Sequence, residues 1–432
     1  MQRAISEFFK LEENGTTIRR EMLAGATTFF TMAYIIFVNP SIMSETGMDH
    51  GAIFVGTCLA AAFACFAMGV FANWPVALAP GMGLNAYFTY VVVGEMGYSW
   101  QTALAAVFIA GILFFIISVT PLRRWMLESI PSNLRIALGA GVGLFIGFIG
   151  LQTGGIVVAN PATYLSLGDM RAPETFLAAF GFLLITILSV KKVPGAIILG
   201  VLGVTAIALV LGLVEFSGFV SSPPSIAPVF LELNFSDVLN LSSTIVVLTF
   251  LFVNLFDTAG TLLAVATRAK LVGEDGQIKN LDRALKADSS SSMVGACFGC
   301  APVTSYVESS SGIAAGGRTG LTAIVVGLLF CGAVFFSPIA SIVPAYATAG
   351  ALIYVAVLMV SGMERLEWTD PTELLPALIT IILIPLTFSI ADGIAFGFTS
   401  YVVIKLFAGQ REQISLGAWF LAILFISKFA FI

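Results

Sequence analysis

Apolar runs long enough to cross a bilayer recur along this chain, and they leave it few folds to choose from. They fall near Gly25–Met43, Ala52–Ala72, Gln101–Thr120, Leu134–Gln152, Thr175–Val190, Gly195–Leu213, Ser242–Ala266, Thr322–Pro338, Ala345–Ser361, Leu374–Ile390 and Gly393–Phe407. A helix of about twenty apolar residues matches the hydrocarbon thickness. Only 10% of the 432 residues are charged and 58% are hydrophobic, whereas about a quarter of a soluble domain is charged. The chain is therefore read as a polytopic, all-α membrane protein, which excludes a soluble enzyme. The five cysteines do not form a disulfide framework: Cys58, Cys65 and Cys331 lie inside apolar runs, and Cys297 and Cys300 have no metal or redox context around them. His50 follows Asp49 at a helix start and reads as a solvated loop residue.

Three weaker segments complete a set of fourteen spans. Pro75–Gly94 and Pro302–Gly316 are interrupted by proline and glycine, and Asp288–Cys300 has polar flanks. The last run, Leu416–Ile432 with Lys428, suits either a surface helix or an extra span. Met1–Met22 is polar and mixed in charge, without a cleavage-type tail, so the first span is expected to stay in the mature protein.

Basic residues orient this set. Arg3, Lys10, Arg19 and Arg20 precede the first span, and Arg123, Arg124, Lys191, Lys192, Arg268, Lys270, Lys279, Arg283, Lys286, Arg318, Arg365, Lys405 and Arg411 all follow even-numbered ones. The opposite loops hold only Arg171, and the connection Val214–Asn240 carries Glu215, Glu232 and Asp237 but no Lys or Arg. Lysine and arginine accumulate on the cytoplasmic side, so both termini are expected there.

The chain also repeats itself. Pro75-Val76 matches Pro302-Val303, and each pair leads through an extended piece into small residues. Glu174 and Glu373 open matching runs, and Pro121 and Pro338 close another matching pair. Seven spans followed by seven more would place the second half upside down, a 7+7 inverted repeat. In such folds, paired broken segments point to the binding site. Short strands followed by half-helices are expected in spans 3 and 10, the second half-helix starting near Glu308. Irregular backbone at that depth must be buried in protein or line a cavity.

Polar residues inside the spans are the candidates for chemistry. On span 8, Asn254, Asp257 and Thr261 share one helical face, with Thr258 beside them. Glu308, Tyr306 and the hydroxyls Ser309 to Ser311 sit in span 10. Gly81, Gly83 and Asn85 occupy the matching half-helix of span 3, where glycines either admit a ligand or let helices pack. Asp288 opens span 9, as an N-cap or as part of a proton exit path. Tyr34, Tyr87, Phe256 and Tyr306 offer rings that could stack on a flat ligand.

Three runs together resemble the nucleobase:cation symporter-2 family, in its azaguanine-permease-like branch: Ala79-Pro80-Gly81-Met82-Gly83-Leu84-Asn85-Ala86, Asp257-Thr258-Ala259-Gly260-Thr261 and Tyr306-Val307-Glu308-Ser309-Ser310-Ser311-Gly312. The resemblance covers nearly the whole chain. It implies a core domain of residues 1–121 and 241–338 and a gate domain of residues 122–240 and 339–432, with homodimers formed through the gate. It also implies proton-coupled import of adenine, guanine or hypoxanthine across the inner (cytoplasmic) membrane. Asp257 and Glu308 would bind substrate or couple protons, and Asn85 would support the site. No histidine lies near Asp257, which sets this chain apart from the uracil and xanthine branches, and the serine run departs from their Asn-containing motif.

The expected site comprises Glu308, Asp257, Asn85, Gly83, Tyr306, Tyr34, Ser309 and Thr258 for substrate. Asp257, Glu308 and Asp288 are the expected proton carriers. Neither metal, cofactor nor nucleic acid is expected. An anion carrier of the same architecture is disfavoured by two acids without an intramembrane cation. An intramembrane hydrolase lacks a nucleophile motif.

Overall fold

The computed structural model describes residues 2–120, 131–236, 238, 241–272 and 278–431. Arg123, Arg124 and Asp237, used above to orient the chain, lie outside them. Among the described residues nine helices are long and apolar enough to cross a membrane, from Ile18–Thr46 to Ile390–Phe407. Ala196–Val210 and Pro371–Leu386 are apolar but shorter.

Side-chain caps set several boundaries. Asp49, Ser99, Asp370 and Ser389 accept from the first-turn amides of the helices His50–Ala67, Trp100–Val119, Pro371–Leu386 and Ile390–Phe407. Each satisfies an orphan donor. The two C-terminal helices therefore start about a turn before their most apolar residues. The run Leu416–Phe431 is helical and packs on Ile390–Phe407.

Four short strands make two ladders: β1 (Leu78–Pro80), β2 (Val157–Asn160), β3 (Tyr164–Leu167) and β4 (Val303–Ser305). β2 and β3 form an antiparallel hairpin that the sequence reading did not anticipate. β1 pairs antiparallel with β4, Leu78 facing Ser305 and Pro80 facing Val303. As expected, each of these two strands runs into a short helix, Met82–Ala86 after β1 and Ser309–Ala314 after β4. Gly81 N–H donates to the Pro302 carbonyl at 2.9 Å, and Tyr306 N–H donates to the Ala77 carbonyl at 3.0 Å. Extended backbone thus crosses the buried interior with its amides paired, as burial requires.

Several expectations need correction. Asp288 neither opens a helix nor caps one. The helix runs Leu281–Cys297, and Asp288 lies fully buried in its middle. The preceding turns carry Asp282, Arg283 and Lys286, so hydropathy reads them as loop although they are helical. The first span is not continuous either: it breaks at Ala33 and Tyr34 between the helices Ile18–Met32 and Ile35–Met43. The third span continues beyond Ala86 as a π-helix, Tyr87–Glu95. His50 belongs to a helix rather than a loop, and it lines a cleft of about 420 Å³ with Ser217, Pro224 and Ser337. Lys405 is not an exposed basic marker. It is 1% exposed, with Nζ 2.8 Å from Gln410 Oε1, 2.8 Å from Gln413 Oε1 and 3.0 Å from Glu373 Oε1.

Candidate functional site

β4 is the hub. It is bonded to three other parts of the chain: β1 and the helices Leu241–Arg268 and Leu281–Cys297. The Val303 carbonyl accepts from Ser292 Oγ at 2.7 Å, and Ser292 in turn accepts from Asn254 Nδ2 at 2.9 Å. Thr304 Oγ1 lies 3.2 Å from Thr258 Oγ1 and also bonds the Asp257 carboxyl. Thr258 donates to Asp288 Oδ1 at 3.0 Å. A continuous polar track therefore runs from Asp288 through Thr258 and Thr304 to Asp257. Thr304 has one proton to give, so Asp257 and Thr258 compete for it.

Glu308 stands immediately before the helix Ser309–Ala314, as its N-cap residue, yet its side chain caps nothing there. Instead Oε1 accepts the hydroxyl of Tyr34 at 2.6 Å. Tyr34 sits at the junction of the two helices of the first span. Asp257 and Glu308 lie close enough to interact electrostatically, as do Asp257 and Asp288. The structure thus brings the carboxyls of the helices Leu241–Arg268 and Leu281–Cys297 together with the one after β4.

Burial separates these groups. Asp288, Thr258, Asn85 and Ser309 are fully buried. Asp257 and Glu308 are only half-buried, and Gly260 and Val307 beside them are exposed, Val307 by 53%. The other residues of both segments are mostly buried. An accessible carboxyl pair surrounded by protein can accept two N–H groups of a planar ligand, and charge-assisted bonds of this kind are the stronger ones.

The remaining predicted residues fall elsewhere. Asn85 donates to Asn39 Oδ1 at 2.5 Å, and Asn39 donates to Thr57 Oγ1 at 2.7 Å. Asn85 Oδ1 itself has no partner. Gly83 serves close packing: a Cβ there would stand 2.2 Å from Val142 Cγ1. Gly81 likewise makes room for Thr304 Cγ2. Tyr306 spends its hydroxyl on the Pro80 carbonyl at 2.6 Å, which ties β4 to β1. Ser309 Oγ accepts the Ala77 amide at 3.0 Å, another tie of the same kind. Tyr87 packs edge-on against Phe250, and Phe256 stacks on Phe252. Among the expected rings, only Tyr34 meets a site carboxyl directly.

Sequence reading missed Glu21. It is fully buried, and its carboxylate accepts from Arg318 N–H at 2.9 Å, Thr319 N–H at 3.3 Å, and Thr322 N–H and O–H at 3.2 and 2.6 Å. An acid a few residues ahead of the first apolar run was the available signal. It also missed Asn39 and Thr57, which carry no local pattern. No cluster of three or more metal-ligating side chains occurs among the described residues.

Comparison with known proteins bears on these observations. Residues 19–396 match a family described as a permease family. The adenine permease AdeP of Escherichia coli (strain K12) is 47% identical over 431 residues, covering 100% of this chain and 97% of that protein. The guanine/hypoxanthine permease PbuG of Bacillus subtilis (strain 168) is 44% identical over 437 residues, covering 98% and 99%. Among solved structures, the transmembrane domain of the cyanobacterial bicarbonate transporter BicA aligns with TM-score 0.65 at 17% identity, covering 86% of this chain and 96% of that one. The anion transporter Slc26a9 of mouse aligns with TM-score 0.64 at 10% identity, covering 90% and 68%. These structures share the fold.

Proposed function

The chain belongs to the nucleobase:cation symporter-2 permease family, a family of transporters and not of enzymes, and on that premise we propose that it imports purine nucleobases together with protons. The full-length likeness to adenine and guanine/hypoxanthine permeases supports the purine class. The observation that carries the site is the half-buried pair Asp257 and Glu308 at the crossing of β1 and β4.

In this reading Glu308 accepts from the N–H edge of the purine. Tyr34 donates to Oε1 and so fixes the orientation in which the carboxylate meets the base. Asp257 takes the coupled proton and a second ring contact. Neutralising one of two neighbouring acids lowers the cost of moving the loaded site. Thr258, Thr304 and Asp288 extend from Asp257 as a proton path, in which hydroxyls can both accept and donate. Asn85 supports the site from the half-helix after β1, through its bond to Asn39.

The whole chain is read as fourteen spans in a 7+7 inverted repeat, and the antiparallel pairing of β1 with β4 supports that relation. Residues 1–121 and 241–338 form the core that carries the base, and residues 122–240 and 339–432 form the gate and a gate-to-gate homodimer. Both termini face the cytoplasm, and the protein resides in the cytoplasmic membrane. The anion-transporter fold neighbours do not carry their chemistry over, because this site presents carboxyls where an anion would need donors.

The test is uptake of radiolabelled adenine, guanine and hypoxanthine into proteoliposomes, with and without a proton ionophore. The proposal expects saturable uptake of at least one base, abolished as accumulation by the ionophore. Insensitive uptake of every base would end the coupling claim.

A further inference from the structure

The half-helix that carries Glu308 is held at both ends by the first span. At its start, Tyr34 donates to Glu308. Along its length, Gly312 lies flush on the helix Ile18–Met32: a Cβ there would stand 2.0 Å from Thr28 Oγ1 and 2.6 Å from the Ala24 carbonyl. Past its end, Gly316 turns the chain at φ +109°, and Gly317 presses against Ala24. The next residues are held by Glu21, whose carboxylate takes four donors from Arg318, Thr319 and Thr322.

Arg318 completes the arrangement. Its backbone binds Glu21, while its Nη1 donates to the Ile313 carbonyl at 2.8 Å and the Gly317 carbonyl at 2.7 Å. Those carbonyls end the half-helix, where a cation is favoured. Glu21 also does the capping for the following helix, Gly320–Ala333. Its own N-cap, Thr319, makes no side-chain cap bond, and Gly320 N–H goes to Asn73 Oδ1 at 2.7 Å. One acid on the first span therefore fixes the turn between two helices roughly three hundred residues away in sequence.

We propose that Glu21 and Arg318 are positioning residues that set where Glu308 stands for the purine. They touch no substrate and act by locking the half-helix to the first span, which also supplies Tyr34. The proposal rests on Glu308 being the purine ligand. Replacing Glu21 by glutamine keeps one acceptor for the Thr319 and Thr322 donors but turns an NH2 group toward the Arg318 amide, so donor faces donor. The half-helix then loses its anchor at one end. Displacements of about 1 Å in a positioned group can cost two orders of magnitude in turnover.

The experiment uses full-length protein in proteoliposomes and in detergent. KM and Vmax per mole of reconstituted protein are measured for the preferred base in wild type, Glu21→Gln, Glu21→Asp, Arg318→Gln and Arg318→Lys, alone and with Tyr34→Phe. In parallel, the rate of maleimide labelling is followed at Val307→Cys, a position exposed beside Glu308. Glu21→Gln and Arg318→Gln are expected to raise KM about tenfold, with smaller effects in the conservative pair. Their effects should fall short of additive with Tyr34→Phe, since all act through one carboxyl. Labelling at position 307 should change at least severalfold. If Glu21→Gln lowers only the melting temperature, with KM and labelling unchanged, its role is structural and the proposal is overturned. Should the wild type take up no purine, the substrate reading fails, and the labelling rates alone then decide the positioning claim.

Discussion

The two crossed elements of this molecule follow one plan and end differently. After β1, the helix Met82–Ala86 is buried at every residue, and its amide side chain, Asn85, is bonded within the protein to Asn39 and through it to Thr57. After β4, Val307 is exposed and Glu308 half-buried, with one carboxylate oxygen given to Tyr34. The first element thus buries its polar side chain in the scaffold, and the second leaves its acid part-exposed. Similar sequence patterns at matching places predict similar backbone. They do not predict equal roles, because the role depends on whether the polar side chain is sealed in the scaffold or left part-exposed.

Substitutions can break this comparison, and the largest effect is expected on the β4 side. Glu308→Gln should lower uptake about a hundredfold or more, since a charge-assisted acceptor becomes a neutral one. Initial-rate uptake normalised to protein in the membrane checks this. Asp257→Asn should retain base binding while abolishing accumulation against a gradient. Counterflow exchange beside net uptake separates the two functions.

On the β1 side the effects should be smaller and fall on stability. Asn85→Ala leaves Asn39 Oδ1 without its donor in a buried place, a cost of about 1–3 kcal/mol. Thermal unfolding in detergent should register that loss, with uptake falling less than in Glu308→Gln. On the β4 element itself, Tyr306→Phe removes only the hydroxyl that ties it to the Pro80 carbonyl of β1. It should cost about 1 kcal/mol and leave KM within about twofold. A larger loss of uptake in Asn85→Ala than in Glu308→Gln would reverse the assignment of the two elements.

What the sequence revealed follows the same division. Apolar runs and proline–glycine punctuation are local, so most of the long apolar helices, β1 and β4, and both half-helices were readable. Partnerships across the fold were not. Glu21 meets residues near 320, Tyr34 meets Glu308, and Asn39 meets Asn85, none with any periodic trace. Asp288 was misplaced because the turns before it are helical yet charged. Lys405 counts as a basic orientation marker in the sequence, where a lysine buried among a glutamate and two glutamines looks like any other. Gly83 could be read either way, and contact with Val142 decided for packing.

The most direct test is a structure of the protein with guanine or adenine bound. The account predicts the ring beside β4, with N–H groups within about 3 Å of the Glu308 carboxyl and the Asp257 carboxyl in contact from the facing helix. A base seated instead in the cleft beside His50 and Ser337, or anywhere that leaves both carboxyls untouched, would contradict it.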